Sequence, residues 1–310
     1  MNHAYGNAPM GVMDPPAVVL PDPGHFAVRA QRLHALSERI EPLGAFLAFM
    51  AQLSRAQQVV LERHQPQWLP EPDAFALALK HGMPPLGVEA LRGDVDFHTE
   101  FAALLDALDL AIGEAQRPLL AELRKMPRSG IDQLATRVLT GDAGLPSQRG
   151  LMPLVAAGLQ VAWLRLALRL PAPPQRPPPE ARAICPCCGS LPVASVIQID
   201  QIRSGVRYLQ CGLCATQWYL ERAKCSVCDQ TGKLDYLSLE DETGEPLLPV
   251  QAETCGDCHT YLKIVPREFD AQAEPLADDL ASLALDLLLA EKGEYRRSGY
   301  NPFLWVGNEG

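Results

Sequence analysis

The chain has 310 residues, 47% of them hydrophobic and 21% charged, which fits a globular protein of two or three domains and excludes a disordered, collagenous or multi-span membrane chain. The formal net charge is −10, and the acid is concentrated, with 15 Asp/Glu against 3 Lys/Arg between Asp235 and Tyr295. That balance disfavours a nucleic-acid footprint, which needs cations to displace counterions from phosphates.

Residues 1–24 read as a flexible leader, with prolines at 9, 15, 16, 21 and 23 and no sustained period. The absence of Lys and Arg and the broken apolar pattern are unlike a secretory signal. Over residues 25–170 the pattern is helical. Leu33, Leu36, Ile40, Leu43, Leu47 and Met50 recur at three- and four-residue steps, as do Phe97, Phe101, Leu104, Leu105, Leu108 and Ile112. Prolines at 42, 66, 70, 84, 85, 118, 127 and 153 mark helix starts, turns or kinks, because proline lacks the donor a helix interior needs. Five to seven helices would form an all-α domain with its own core. The most apolar stretch, from Leu151, runs only 14 residues before Arg165, too short to cross a bilayer, and reads as a buried helix.

Residues 171–180 contain six prolines in ten, an extended, semi-rigid linker. Beyond it the texture is β. Val193–Ile199 and Val206–Gln210 read as strands around a hairpin signal at Arg203–Gly205, and Leu234–Leu239 with Thr260–Val265 as a second pair. A closing helix is expected with Leu276, Leu280, Leu283 and Leu287 on one face, and with Asp278 and Asp279 in its first turn, where the helix dipole favours negative charge.

All nine cysteines lie between Cys185 and Cys258. Eight form Cys-x-x-Cys pairs: Cys185/Cys188, Cys211/Cys214, Cys225/Cys228 and Cys255/Cys258. A two-residue gap lets a tight turn aim both sulfurs at one cation, and two such turns complete a tetrahedron. One pair is a weak signal, whereas four within 74 residues are a strong one. Pairing consecutive knuckles leaves 22 and 26 residues between them, each span holding a hairpin, the layout of a rubredoxin or zinc ribbon. An interleaved pairing, first with third and second with fourth, is also compatible with the spacing. With no export signal the chain is expected in the cytoplasm, where paired cysteines favour metal over structural disulfides.

The expected fold class is therefore α+β multidomain: the helical domain, a first metal module at 181–224, and a second at 225–310 that includes the closing helix. Sulfur-only tetrahedral sites accept iron and zinc about equally well, so two metal ions, iron or zinc, are expected on these grounds. Arg207, Lys224 and backbone amides are candidates to offset the sulfur charge. Cys187 cannot be a ligand if Cys185 and Cys188 are, and reads as a bystander thiol. His259 could replace Cys258. No phosphate-binding loop, nucleophile elbow or zinc-protease motif is present, so no enzyme is visible.

These residues closely resemble the formate dehydrogenase accessory protein FdhE family. The resemblance rests on Cys185–Ser195, Arg207–Trp218, Lys224–Cys228, Glu253–Lys263, Ala277–Asp286 and Gly299–Phe303, about 120 residues of the C-terminal half. It implies a non-catalytic, cytoplasmic maturation factor that binds the catalytic subunit of respiratory formate dehydrogenase, with the eight paired cysteines as ligands to rubredoxin-type iron. A redox protein passing electrons through two iron sites and a zinc-ribbon nucleic-acid binder are the alternatives. Arg296, Arg297, Asn301 and Phe303, beside the acidic segment, form a candidate docking surface.

Overall fold

The computed structural model describes residues 15–66, 69–88, 95, 97–142, 144–199, 205–240 and 243–305. Within the stretch read as a leader, Val18–Val19 form a short strand, β1. Seven α-helices follow among the described residues: α1 (His25–Arg39), α2 (Gly44–Arg63), α3 (Ala76–Lys80), α4 (His98–Asp109), α5 (Arg117–Lys125), α6 (Arg128–Thr140) and α7 (Met152–Leu168). Pro42 lies in a 3-10 turn between α1 and α2, so the apolar stripe from Leu33 to Met50 bends there, leaving Ile40 and Leu43 only half-buried. Helix α7 is buried along almost its whole length, with α2, α4 and α6 packed on it. Gly158 permits this approach, since a Cβ there would lie 2.9 Å from Phe101 Cδ2.

The proline-rich segment keeps Pro174 and Pro177 buried, and the Arg176 guanidinium lies 4.8 Å from the Tyr219 ring centroid. It therefore runs along the sheet instead of leaving the two halves loosely tethered.

The remaining strands are β2 (Pro192–Ile197), β3 (Arg207–Cys211), β4 (Gln217–Tyr219), β5 (Leu234–Glu240), β6 (Pro246–Cys255), β7 (Thr260–Pro266) and β8 (Arg296–Arg297). They join β1 in one sheet of order β1-β4-β3-β2-β7-β6-β5, with β8 also paired to β7. The all-α domain and two rubredoxin-like modules are thus observed, and the modules share a sheet through parallel pairing of Ser195–Ile197 in β2 with Ile264–Pro266 in β7. Strands β5 and β7, expected to pair, are separated by β6, which pairs with both. Pro246 and Pro249 hide β6 in the sequence, because proline argues against a central strand. The first hairpin signal falls at residues 203–204, outside the described residues, followed by Gly205 at φ +72°.

The closing helix is two helices, α8 (Pro275–Ala281) and α9 (Leu283–Lys292). Ser282 breaks it, its hydroxyl donating back to Asp278 O at 2.7 Å. The break shifts the helical phase, so Leu285 and Leu289 are buried in α9 while Leu287 is 54% exposed.

Candidate metal centres

The four knuckles share one construction. The residue after the second cysteine is left-handed in each, with φ of +78° at Gly189, +59° at Ala215, +61° at Asp229 and +54° at His259. In three of them its N–H returns to the first cysteine's carbonyl: Gly189 to Cys185 (2.9 Å), Asp229 to Cys225 (3.2 Å) and His259 to Cys255 (2.9 Å). A left-handed step costs a non-glycine residue about 1–2 kcal/mol, so a local geometry held at three such positions must be stabilised by its surroundings. The turn points both sulfurs of a pair at one place.

Consecutive knuckles meet. Cys185, Cys188, Cys211 and Cys214 form one cluster and Cys225, Cys228, Cys255 and Cys258 the other, with the sulfurs of each set within 4.8 Å of one another. The sequential arrangement is observed, and the interleaved one is not. Sulfur separations are 3.6 Å for Cys185–Cys214, 3.4 Å for Cys188–Cys211, 3.7 Å for Cys225–Cys258 and 3.6 Å for Cys228–Cys255. A disulfide would bring sulfurs to about 2.05 Å. Four thiolates about 2.3 Å from a central cation stand about 3.8 Å apart, so the donor sets fit a tetrahedrally bound metal.

The surroundings treat the sulfurs unequally: although burial opposes ionisation, hydrogen bonds from the other cysteines hold Cys214 well below its ordinary range and, together with Thr260, hold Cys258 below its own. Burial pushes the Cys185 and Cys211 thiols well above their ordinary range, and Cys225 up to about 12. Partial compensation comes from backbone donors: Leu213 N at 3.3 Å and Cys214 N at 3.4 Å from Cys211 Sγ, and Val227 N at 3.4 Å from Cys225 Sγ. The Thr216 hydroxyl lies 3.3 Å from Cys214 Sγ and the Thr260 hydroxyl 3.1 Å from Cys258 Sγ, at equivalent positions of the two modules.

The expected basic partners are engaged elsewhere. Fully buried Arg207 donates to Glu253 Oε1 (2.7 Å), Ser195 Oγ (2.9 Å) and Lys224 O (3.0 Å), tying the first module to the second. Lys224 Nζ donates to Asp229 Oδ2 at 3.0 Å. Cys187 lies buried outside the first cluster, and its carbonyl accepts from Leu86 N at 2.7 Å. His259 is exposed beside Tyr295, with Cys258 completing the second cluster.

The candidate docking residues need correction. Asn301 and Phe303 are each 2% exposed. Asn301 Nδ2 donates to Asp279 Oδ2 at 2.7 Å, and Arg297 holds the same carboxylate through two bonds of 2.7 and 2.8 Å. The tail is thus an internal strut: Arg297, which looks like surface charge in the sequence, is consumed by pairing with Asp279 and Asp286, the carboxylates that also hold buried Lys263. Arg296 alone of the four is exposed.

Sequence reading missed the groups that seat the first cluster on the helices. Gln160 Nε2 of α7 donates to Gly212 O, inside the second knuckle, at 2.7 Å, and Trp163 Nε1 donates to Leu86 O at 3.1 Å. Gln160 within the apolar α7 was the one visible signal, because a polar side chain in a buried helix demands a partner.

A helical domain locked onto two four-cysteine modules defines a protein whose sulfur clusters could each hold a metal ion. The chain belongs to the FdhE family. Its profiles, described as FdhE, N-terminal, FdhE, central domain and FdhE, C-terminal domain, match residues 15–180, 184–222 and 223–304. A "Protein FdhE homolog" of Enterobacter sp. (strain 638) is 39% identical over 279 residues, 90% of this chain and 87% of that one. "Protein FdhE" of Escherichia coli (strain K12 / DH10B) is 38% identical over 280 residues, with the same coverage. The crystal structure of the FdhE protein from Pseudomonas aeruginosa superposes with a TM-score of 0.82 at 37% identity, covering 94% of this chain and 100% of that one.

Proposed function

We propose that the protein is a non-catalytic maturation factor that binds the catalytic subunit of respiratory formate dehydrogenase in the cytoplasm. Its two four-cysteine sites hold metal, with Cys185, Cys188, Cys211 and Cys214 as ligands of the first and Cys225, Cys228, Cys255 and Cys258 of the second. Iron in the rubredoxin manner is the metal we favour, on the family resemblance; the sulfur-only donor sets and the backbone N–H groups directed at Cys211 and Cys225 suit iron and zinc alike. Four protein ligands leave no open position for hydrolysis, so the sites suit holding a fold or exchanging electrons.

The observation that carries this reading is the presence of two complete four-sulfur sets in a chain matched by family profiles across its helical, central and C-terminal parts. No helix among the described residues is long and apolar enough to cross a membrane. The test is co-purification of the affinity-tagged full chain with separately tagged formate dehydrogenase subunits. Retention of the catalytic subunit is expected. Retention of none would overturn the assignment.

A further inference from the structure

The two sites differ in how they are enclosed. All four cysteines of the first are at most 1% exposed. Helix α7 closes it from the helical side, through Gln160 on Gly212 O, and residue 86 joins in through its N–H on Cys187 O. On another side the tail presses on the same knuckle, where a Cβ on Gly212 would lie 2.8 Å from Tyr300 O. Gln160 itself is fixed by Arg29 and Gln57, whose donors lie 3.1 and 2.9 Å from its Oε1. To uncover these sulfurs, the helical domain must separate from the sheet.

The second site has no such cover. Cys228 and Cys258 are half-buried, Val227 between the third pair is 44% exposed, and Asp257 and His259 around the fourth are exposed. Its knuckle backbones are held by neighbours in the same module, as in Gly256 N to Lys233 O (2.8 Å), Cys225 N to Gln230 O (2.9 Å) and Arg296 N to His259 O (3.0 Å). An incoming ligand can approach Cys228 and Cys258 without opening the domain interface.

We propose that the sites divide the work, a proposal that rests on the metal-binding reading above. The first is a permanent structural site within its own module, closed over by the helical domain, and it keeps its ion while the chain is folded. The second is an exchange site, open to thiolate or chelating ligands from solution or from a docked partner while the fold stays intact. Release from a site closed by packed elements requires a sub-global opening, whereas an exposed site needs only local motion.

The test is zinc release from the zinc-loaded full chain to the chromogenic chelator 4-(2-pyridylazo)resorcinol, followed by absorbance with far-ultraviolet circular dichroism in parallel. The proposal predicts that about one equivalent leaves rapidly with the dichroism unchanged, and that the other leaves at least about a hundredfold more slowly. Cys228→Ser should abolish the rapid phase and keep the slow one, and Gln160→Ala should speed the slow phase alone. Both zincs leaving in one phase, or a rapid phase that survives Cys228→Ser, would overturn the division. A chain that takes up neither zinc nor iron would overturn the metal-binding reading and this proposal with it.

Discussion

Replacing Arg207 with Met probes the joint between the two metal modules without touching a cysteine. The Arg207 guanidinium is fully buried and its partner Glu253 is 3% exposed, 2.7 Å away. Its other donors reach Ser195 Oγ at 2.9 Å and the backbone oxygens of Arg222 and Lys224 at 3.3 and 3.0 Å. The substitution leaves Glu253 as a buried charge whose side chain is bonded, among the described residues, only by Tyr236 Oη at 3.0 Å, and strips two carbonyls of a donor. Breaking one side of a buried ion pair costs about 3–5 kcal/mol, and the lost carbonyl bonds add to it, so a destabilisation of about 4 kcal/mol is expected. The assay is equilibrium unfolding in urea on the metal-loaded chain. The double variant Arg207→Met/Glu253→Gln should recover more than half of the loss, because it removes the stranded charge. A single-variant loss below about 1 kcal/mol, or no recovery in the double variant, would refute the reasoning.

His25 should make stability pH-dependent above the usual acid range. Burial and then the Arg29 charge lower its pKa to about 4, outweighing Glu274, so the unfolded chain binds the extra proton between about pH 6.5 and 4. Stability should fall by up to about 3 kcal/mol as pH drops through that window, and His25→Gln should flatten the profile measured by urea unfolding. Asp279→Asn should cost about 3 kcal/mol, because Arg297 and Lys263 would be left buried with only Asp286 as a charged partner among the described residues. Calorimetry reads the loss, and limited proteolysis should show earlier cleavage of the tail. On the acid side, Asp279 and Glu274 are held below the usual carboxylate range: burial opposes ionisation, but Arg297 and Lys263 at the first and Arg29 at the second overcome it. Their contribution is present above the unfolded carboxylate values and lost as pH falls through the folded ones, so acid unfolding should sharpen below about pH 4.

The parts of the molecule that were legible in the sequence are those set by local chemistry. The spacing from Phe97 to Ile112 locates α4, the apolar run at Leu151 locates α7, and four Cys-x-x-Cys pairs locate both clusters. What escaped depends on distant partners. Arg29 and Arg32 lie buried on α1 because Glu274 and Asp278 await them some 245 residues along the chain, and no period in a single helix announces that. Parallel pairing of β2 with β7 likewise joins segments with no local signal in common. The tail misled for the same reason: Arg297 and Asn301 look like surface charge and polarity until Asp279 is placed between them.

If each cluster of four sulfurs holds a metal ion, as proposed, the folded chain carries two. The most direct measurement is metal content by mass spectrometry on the full chain purified without oxygen, together with its visible spectrum. About two metal ions per chain are predicted, one for each four-sulfur set, with thiolate-to-iron absorption where the metal is iron. A chain that is folded and monodisperse yet carries no metal would contradict it.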